Sequence, residues 1–529
     1  MKSSNQAHKL LVPFCILCIL IITLTQSPSL KDINTILNPS KHSTQAYIFS
    51  HNSYQKLSKV HESDSLPKYI FLFIADGVSF PQIQLTSNYL GLKEDSSSYT
   101  PNSSNLSFMN FPYLGTATTY NSNSYITDSA SAGTAISSGY KTKTGILNMS
   151  PDFSTAYETI AETLKQRFGY HIGIVSSANI NHATPAAFYA HQSSRKNYYE
   201  IGKELIASNF DYFAGGDFRN PTGDDPSCKL TDLHDLAKDS GYKVLSTTDS
   251  LDSLTTTTSN IILTSSNLAD SSTIPYRIDA TDTDWSLADY VTQGIAILSK
   301  RTPGFFFAIE GGKTDWASHA NDTATMIHEL LDFDRSVKVA LEFYMEHPTE
   351  TLILVTGDHE TGGLSIGYTN TNYETYLTNL MYQTISFDLF DRNYVTQYQK
   401  DSVSFPRAME DVSKLFGLTL PNCSRKDSPQ TLTLTEEEAK RLQTAYNLTL
   451  EIYNDPSLAS TSPLYESYSP FLLEILNLLN HKSGISYSTY YHTGLPVPVY
   501  AIGCGSDKFA GNYDNTSINP KIMELFSKP

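Results

Sequence analysis

Tyr69-Ile70-Phe71-Leu72-Phe73-Ile74-Ala75 runs apolar without a break and stops at Asp76-Gly77. A strand with one wet face alternates polar with apolar residues. An unbroken run closed by a turn dipeptide instead marks a strand buried on both faces, as in a parallel sheet covered by helices. Asp76 is then expected at the carboxyl end of a core strand, where open α/β sheets gather their ligands. Asp-Gly is also an ordinary turn, so the position gains weight only through repetition. Thr351 to Thr356 is a second apolar strand and ends in Gly357-Asp358-His359-Glu360. Gly304 to Ile309 is a third, ending in Glu310-Gly311-Gly312 and running into Asp315-Trp316-Ala317-Ser318-His319. Near the C-terminus Tyr491-His492-Thr493-Gly494 leads into a further strand, Val497 to Ile502. These patterns predict an α/β fold with a mostly parallel sheet.

From Ile126 to Gly139 the chain reads Ile-Thr-Asp-Ser-Ala-Ser-Ala-Gly-Thr-Ala-Ile-Ser-Ser-Gly, placing Ser129 at the head of a run of small, helix-compatible residues. Ser129 is a candidate nucleophile, because the outward N–H groups and dipole of a helix N-terminus favour a phosphoryl group there. Taken alone, Asp128-Ser129 reads better as a helix cap. Asp315 and His319 are four residues apart, so on a helix they share a face and can grip one ion; a solvated helix start fits the spacing equally well. Asp358, His359 and His492 extend the set of ligand types, enough for two Zn²⁺ ions placed to stabilise attacking and leaving oxygens in phosphoryl transfer. Asn181-His182-Ala183-Thr184-Pro185-Ala186-Ala187 precedes Ser193-Ser194-Arg195-Lys196. Arg195 offers a planar fork for phosphate oxygens, while His182 and Thr184 suit a third ion as ligands or supporting groups.

In this combination the chain resembles the alkaline phosphatases. Asp-Ser-Ala, Ala-Thr-Pro-Ala-Ala with its downstream Ser-Arg-Lys, Glu-Gly-Gly-Lys-Thr-Asp with a following His, Thr-Gly-Asp-His-Glu and His-Thr-Gly all occur in that family's order. The resemblance covers roughly 66–365 and 490 to the C-terminus. It implies a three-layer sandwich with a central, mostly parallel sheet, helices on both faces, and a large crown-like insertion. It implies hydrolysis of small phosphate monoesters through a phosphoserine at Ser129, with Arg195 clamping phosphate oxygens and Asp128 orienting it. Asp315, His319 and His492 are implied ligands of the zinc at the leaving-group oxygen, and Asp76, Asp358 and His359 of the zinc at the serine. Asp76, Thr184 and Glu310, with His182 nearby, are implied at a third site for Mg²⁺ or Zn²⁺. His182 and Trp316 depart from the bacterial prototype, which has Asp and Lys there. A phosphodiesterase or sulfatase of the same superfamily, and an inactive extracellular metal-binding homologue, are the alternatives; Arg195, the third-site set and retention of every motif residue weigh against them.

Lys2 and Lys9, the apolar Leu10 to Leu24 and polar Thr25-Gln26-Ser27 have the layout of a signal peptide, with an uncleaved anchor as the alternative. A secreted or periplasmic enzyme is expected, touching membrane only if that leader stays. The expected divisions are 1–27 leader, 28–66 polar linker, 67–365 catalytic, 366–489 cap-like insertion and 490–529 catalytic. Of 5 cysteines, Cys15 and Cys18 fall in the leader, so Cys228, Cys423 and Cys504 allow at most one disulfide. A net charge of -17 argues against nucleic acid as a partner and makes any attraction for phosphate local to the pocket. Sequons such as Asn105, Asn148 and Asn447 read as chance in a chain rich in Asn, Ser and Thr. A helix is predicted over 321–347, with Ile327, Leu330, Leu331, Val337, Leu341 and Tyr344 on its packed face and His328, Glu329 and Asp332 in solvent. Further helices are expected near Glu436 to Ala445 and Pro470 to Leu479. A homodimer or a monomer suits the family.

Overall fold

The computed structural model describes residues 66–94, 105–224, 229–249, 254, 259–270, 272–421, 423, 429–462, 464 and 467–527. The leader, the linker up to residue 65 and Cys228 lie outside the described residues. A 10-stranded sheet runs in the order β14-β2-β13-β8-β1-β7-β3-β4-β6-β5. Its strands are β1 (Tyr69–Ala75), β2 (Tyr113–Thr118), β3 (His171–Ser176), β4 (Tyr212–Gly215), β5 (Lys243–Ser246), β6 (Ile261–Thr264), β7 (Phe305–Gly311), β8 (Thr351–Gly357), β13 (Val497–Gly503) and β14 (Gly511–Asp514). Among the described residues, two small ladders complete the strands. One pairs β9 (Glu360–Thr361) with β12 (His492–Thr493), the other β10 (Leu364–Ile366) with β11 (Ile485–Tyr487). Only β13 runs antiparallel within the large sheet, to β2 and β8.

β1 lies between β7 and β8, every residue of all three strands is buried, and Ala75 sits level with Gly311 and Gly357. The unbroken apolar runs follow from that position. Ile70, Leu72 and Ile74 pack into the core on one face with Phe306, Ala308, Leu352 and Leu354. Tyr69, Phe71 and Phe73 pack into a second core on the other, with Phe305, Phe307, Ile353 and Val355. Burial on both faces is what makes the sandwich three layers deep. The level register also delivers Asp76 and Asp358 side by side, with Glu310 still on β7 beside them.

The 24-residue helix Thr323–Glu346 corrects one expectation. His328, Glu329 and Asp332 are buried, not solvated. Glu329 accepts Arg277 N at 2.6 Å, Asp332 accepts Leu287 N at 3.0 Å, and the His328 ring meets Tyr89 edge-on. The helix carries sheet contacts on one side and the 274–298 segment on another, so its polar positions are dry and hydrogen-bonded. Its cap, Asp322, accepts Gln383 Nε2 at 2.7 Å and Phe387 N at 2.9 Å, tying residues of the 366–489 segment to the start of this helix. In that segment the helices Phe405–Phe416, Glu436–Asn454 and Pro470–Ser483 share one apolar cluster with Met326 and Ile327. Among the described residues Cys423 and Cys504 form no disulfide, and Cys504 Sγ donates to Thr349 O at 3.0 Å. Asn148 is buried with its amide donating to Ala187 O and Ala190 O, so the folded chain hides that sequon. Among the described residues no helix is long and apolar enough to cross a membrane.

Candidate active site

Ser129 opens the helix Ser129–Ser138, whose cap Asp128 accepts Ser131 N at 3.2 Å. The small residues of this helix serve packing: a Cβ on Gly133 would lie 2.7 Å from Ala187 Cβ, so glycine lets the turn bearing Thr184 come close. Ser129 is buried with Oγ 3.2 Å from His359 Nε2. Asp128 also accepts Gly145 N at 3.1 Å and Arg195 NH1 at 3.0 Å, fixing the guanidinium beside the serine. The other arm of Arg195 meets His182 Nε2 at 3.2 Å.

The carboxyl ends of β1, β7 and β8 converge next to it. Groups with ligand atoms within 4.8 Å of one another are Asp315 with His359 and His492, Asp76 with His182 and Glu310, and Asp76 with Asp358 and His359. Asp315 Oδ2 is 3.4 Å from His319 Nε2, one turn along the helix Lys313–His319. Thr184 Oγ1 donates to Asp76 Oδ2 at 3.3 Å. Trp316 stands edge-on to His182, centroids 5.7 Å apart. The fold thus brings every predicted site residue into one cluster.

The donors fit a cation. His319 Nδ1 bonds Tyr490 O at 2.7 Å and His492 Nδ1 bonds Thr127 O at 2.8 Å. A carbonyl only accepts, so both Nδ1 atoms carry hydrogen and both Nε2 lone pairs turn to the cluster, where they face each other at 3.0 Å. A positive charge must sit between them, as a proton or a metal. Asp76 Oδ1, Asp358 Oδ2 and Glu310 Oε1 are buried without a hydrogen-bond partner; His182 Nδ1 is also unpartnered, but with Arg195 donating to Nε2 it carries the ring hydrogen and faces the cluster as an N–H. Burial, reinforced by Asp358 and Asp315, raises the Asp76 carboxyl well above the usual range. Burial together with Asp315 takes Asp358 to about 8. Burial takes Glu310 to about 7 despite its bond from Ser176. Burial and the Arg195 charge push His182 down to about 3. Burial also opposes a charge on His319, but Asp315 outweighs it and holds this ring at about 9. Crowded acids that resist ionisation, beside imidazoles aimed by carbonyls, are the donor set of divalent cations.

Two supporting hydroxyls escaped the sequence reading. Ser176 ends β3 and donates to Glu310 Oε2, and Thr361 donates to Asp315 Oδ1 at 2.5 Å. Ser176 obeys the same strand-end rule that singled out Asp76, so that signal was present. Thr361 depends on a contact across 46 residues and left none.

The sequence profile of the family described as alkaline phosphatase matches residues 67–528. The chain belongs to the alkaline phosphatase family. As a member it is a phosphoric monoester hydrolase, of a family that depends on metal ions. It is similar to alkaline phosphatase 3 of Bacillus subtilis, with 28% identity over 86% of this chain and 88% of that protein. It is similar to the alkaline phosphatase of Schizosaccharomyces pombe, with 26% identity over 87% of this chain and 81% of that one. Among solved structures, the cold-active alkaline phosphatase of a psychrophilic Shewanella aligns with TM-score 0.68 and 25% identity, over 87% of this chain and 100% of that one. A histidine-to-aspartate variant of TAB5 alkaline phosphatase, with Mg bound in its M3 site, aligns with TM-score 0.56 and 25% identity, over 88% of this chain and 99% of that one.

Proposed function

We propose that this alkaline phosphatase turns over monoesters through a phosphoserine at Ser129, with Zn²⁺ at two sites and Mg²⁺ at a third. The observation that carries the proposal is the placing of Ser129 Oγ at a helix N-terminus, 3.2 Å from His359 Nε2 and beside the Asp128-held Arg195. Asp315, His319 and His492 would hold the leaving-group zinc. Asp76, Asp358 and His359 would hold the zinc at the serine, and Asp76, Thr184, Glu310 and His182 the third ion. When bound, zinc activates a hydroxyl or water at neutral pH and offsets charge on phosphoryl oxygens.

Ser129 Oγ attacks phosphorus and the alkoxide leaves from the opposite side, toward His319 and His492. The phosphoryl group comes to rest over the N-terminal amides of the Ser129–Ser138 helix, where the dipole favours its charge. Arg195 holds its non-bridging oxygens through two parallel N–H donors, and Asp128 keeps the fork in plane. Water then attacks the phosphoserine, releasing inorganic phosphate and restoring the hydroxyl. His182 offers an imidazole where a carboxylate would bring negative charge, so Mg²⁺ is held weakly at the third site. The name of the TAB5 variant, which pairs a histidine-to-aspartate change with Mg bound in the M3 site, supports that reading.

Ser129→Ala should cut kcat by ~10³-fold or more and abolish trapped label from radioactive phosphate monoester. Label recovered on another residue of the wild type would overturn the mechanism. His182→Asp should tighten Mg²⁺ in a titration after zinc reconstitution, and equal affinity in both proteins would remove His182 from the third site.

A further inference from the structure

Glu360 follows His359 in the chain, yet its carboxylate serves another set of partners. It is fully buried, and its oxygens are filled by neutral donors. Oε1 accepts Gln82 Nε2 at 2.6 Å and Leu364 N at 3.2 Å. Oε2 accepts Gly363 N at 3.1 Å and the Thr493 hydroxyl. The amides come from its own turn, where Gly362 (φ +94°) and Gly363 (φ +61°) bend the chain back on itself; a Cβ on Gly363 would fall 1.9 Å from Ser488 Oγ. Gln82 ties the same carboxylate to the start of the helix Phe80–Glu94 and also donates to Thr361 O at 3.1 Å.

The consequence lies one residue away. Thr493 follows His492, and β12 is held to β9 by a ladder only two residues long, with His492 opposite Thr361 and Thr493 opposite Glu360. So short a ladder fixes a strand poorly by itself. His492 Nδ1 is pinned by Thr127 O, which sets the rotation of the ring, while the backbone that carries the ring is held from the other side by Glu360 through Thr493. Ser79 Oγ adds a bond to Pro496 O at 2.6 Å on the same segment.

We infer that Glu360 is a positioning residue for His492: its buried carboxylate grips Thr493 and so sets where His492 Nε2 points. The inference rests on the reading of His492 as a zinc ligand. Supporting groups of this kind are worth about 10–100-fold in metal affinity. The test uses the full-length, zinc-reconstituted enzyme and competition with a zinc chelator, beside p-nitrophenyl phosphate kinetics. Thr493→Val and Glu360→Ala should each weaken the less tightly held zinc by ~10–100-fold and lower kcat at limiting zinc, with excess zinc restoring kcat and KM little changed. Combining them should cost no more than Glu360→Ala alone, because both cut one connection. Glu360→Gln should lose less: Thr493 can turn its hydroxyl to accept from the amide, leaving only the Gly363 N–H opposite a donor. Should Glu360→Ala fail to fold, Thr493→Val and Glu360→Gln carry the test. Wild-type zinc affinity in Thr493→Val, or losses that multiply in the double variant, would overturn the inference. His492→Ala separates the two readings. If it keeps both zinc ions as tightly as wild type, the ligand reading itself fails; if it loses one while Thr493→Val does not, only the role of Glu360 fails.

Discussion

At the amino ends of β3 and β4 a buried acid, Asp211, is met by Arg301 NH1 at 2.7 Å, His171 Nδ1 at 2.6 Å, Lys165 Nζ at 3.0 Å and Ile172 N at 2.9 Å. At the carboxyl ends of β1, β7 and β8 the buried acids Asp76 and Asp358 lie against other acids, Asp315 and Glu310 among them, and the ring beside them, His359 Nε2 at 3.3–3.4 Å, is kept uncharged by burial and by His492. Both sets sit in the same sheet at similar depth, yet their acidities part in opposite directions. Burial alone would raise Asp211, but the His171 bond, the Lys165 charge and the Ile172 amide outweigh it and hold the carboxyl at about 2. Asp358 goes up to about 8. A closed ion cluster at one end stabilises the fold; an open one at the other is strained until a cation joins it. Imbalance, rather than burial or charge as such, separates site from scaffold here.

The largest effect expected from breaking this contrast is at Asp358. Asp358→Asn should cut kcat/KM by ~10³-fold or more and deplete zinc. A group raised from 3.8 to about 8 contributes its stability below about pH 4 and loses it as pH rises through about 8, so the metal-free wild type should weaken over that range. The metal-free variant, which keeps the oxygen that accepts Gly77 N and His359 N, should then melt higher than wild type at pH 9, by ~1 kcal/mol of stability. A lower melting temperature would show that the cluster is not strained.

Asp211→Asn should do the reverse. Asp211 contributes stability above pH 3.8 and loses it as pH falls through about 2, so at pH 7 its replacement should cost roughly 2 kcal/mol in denaturant unfolding. Zinc content and kcat should stay within about twofold of wild type, since no ligand is touched. Lost zinc in this variant would break the division between the two ends. The smallest effect is at His234, raised to about 9 by its bond to Asp217 and its pairing with Asp232, each at 2.7 Å. That stabilisation is full below pH 6.5 and fades as pH rises through about 9. His234→Ala should therefore cost about 1 kcal/mol at pH 6, after allowing for solvent screening, and almost nothing at pH 10. A cost independent of pH would make the loss one of packing.

Sequence pattern reached the core of this molecule because the pattern is local. The runs at 69–75, 304–309 and 351–356 had to be buried on both faces, and a polar residue closing each had to emerge at the strand end. The structure starts β7 at Phe305 and carries it through Gly311, so Glu310 lies within the strand rather than beyond it. His328, Glu329 and Asp332 show where the pattern failed. Polar residues on a helix read as wet, and only packing from Arg277 and Leu287, about 45–52 residues away, made them dry. Ser176 is legible as a strand-end residue; the roles of Thr361 and Glu360 are not, because their partners Asp315 and Thr493 are distant in the chain.

By itself, the sequence determined the buried parallel strands, the acids and imidazoles that follow them, the capped helix at Ser129 and, through its ordered motifs, the family. Tertiary structure alone decided that β13 enters antiparallel, that two imidazole nitrogens face each other at 3.0 Å, and that Thr493 is held by Glu360. The reason is one of range. Hydrophobic periodicity records that a position is covered, since solvent exclusion acts on each residue wherever the cover comes from. Which atom meets a polar side chain depends on hydrogen-bond geometry within a few tenths of an ångström, and that is set only when segments far apart in the chain are packed together.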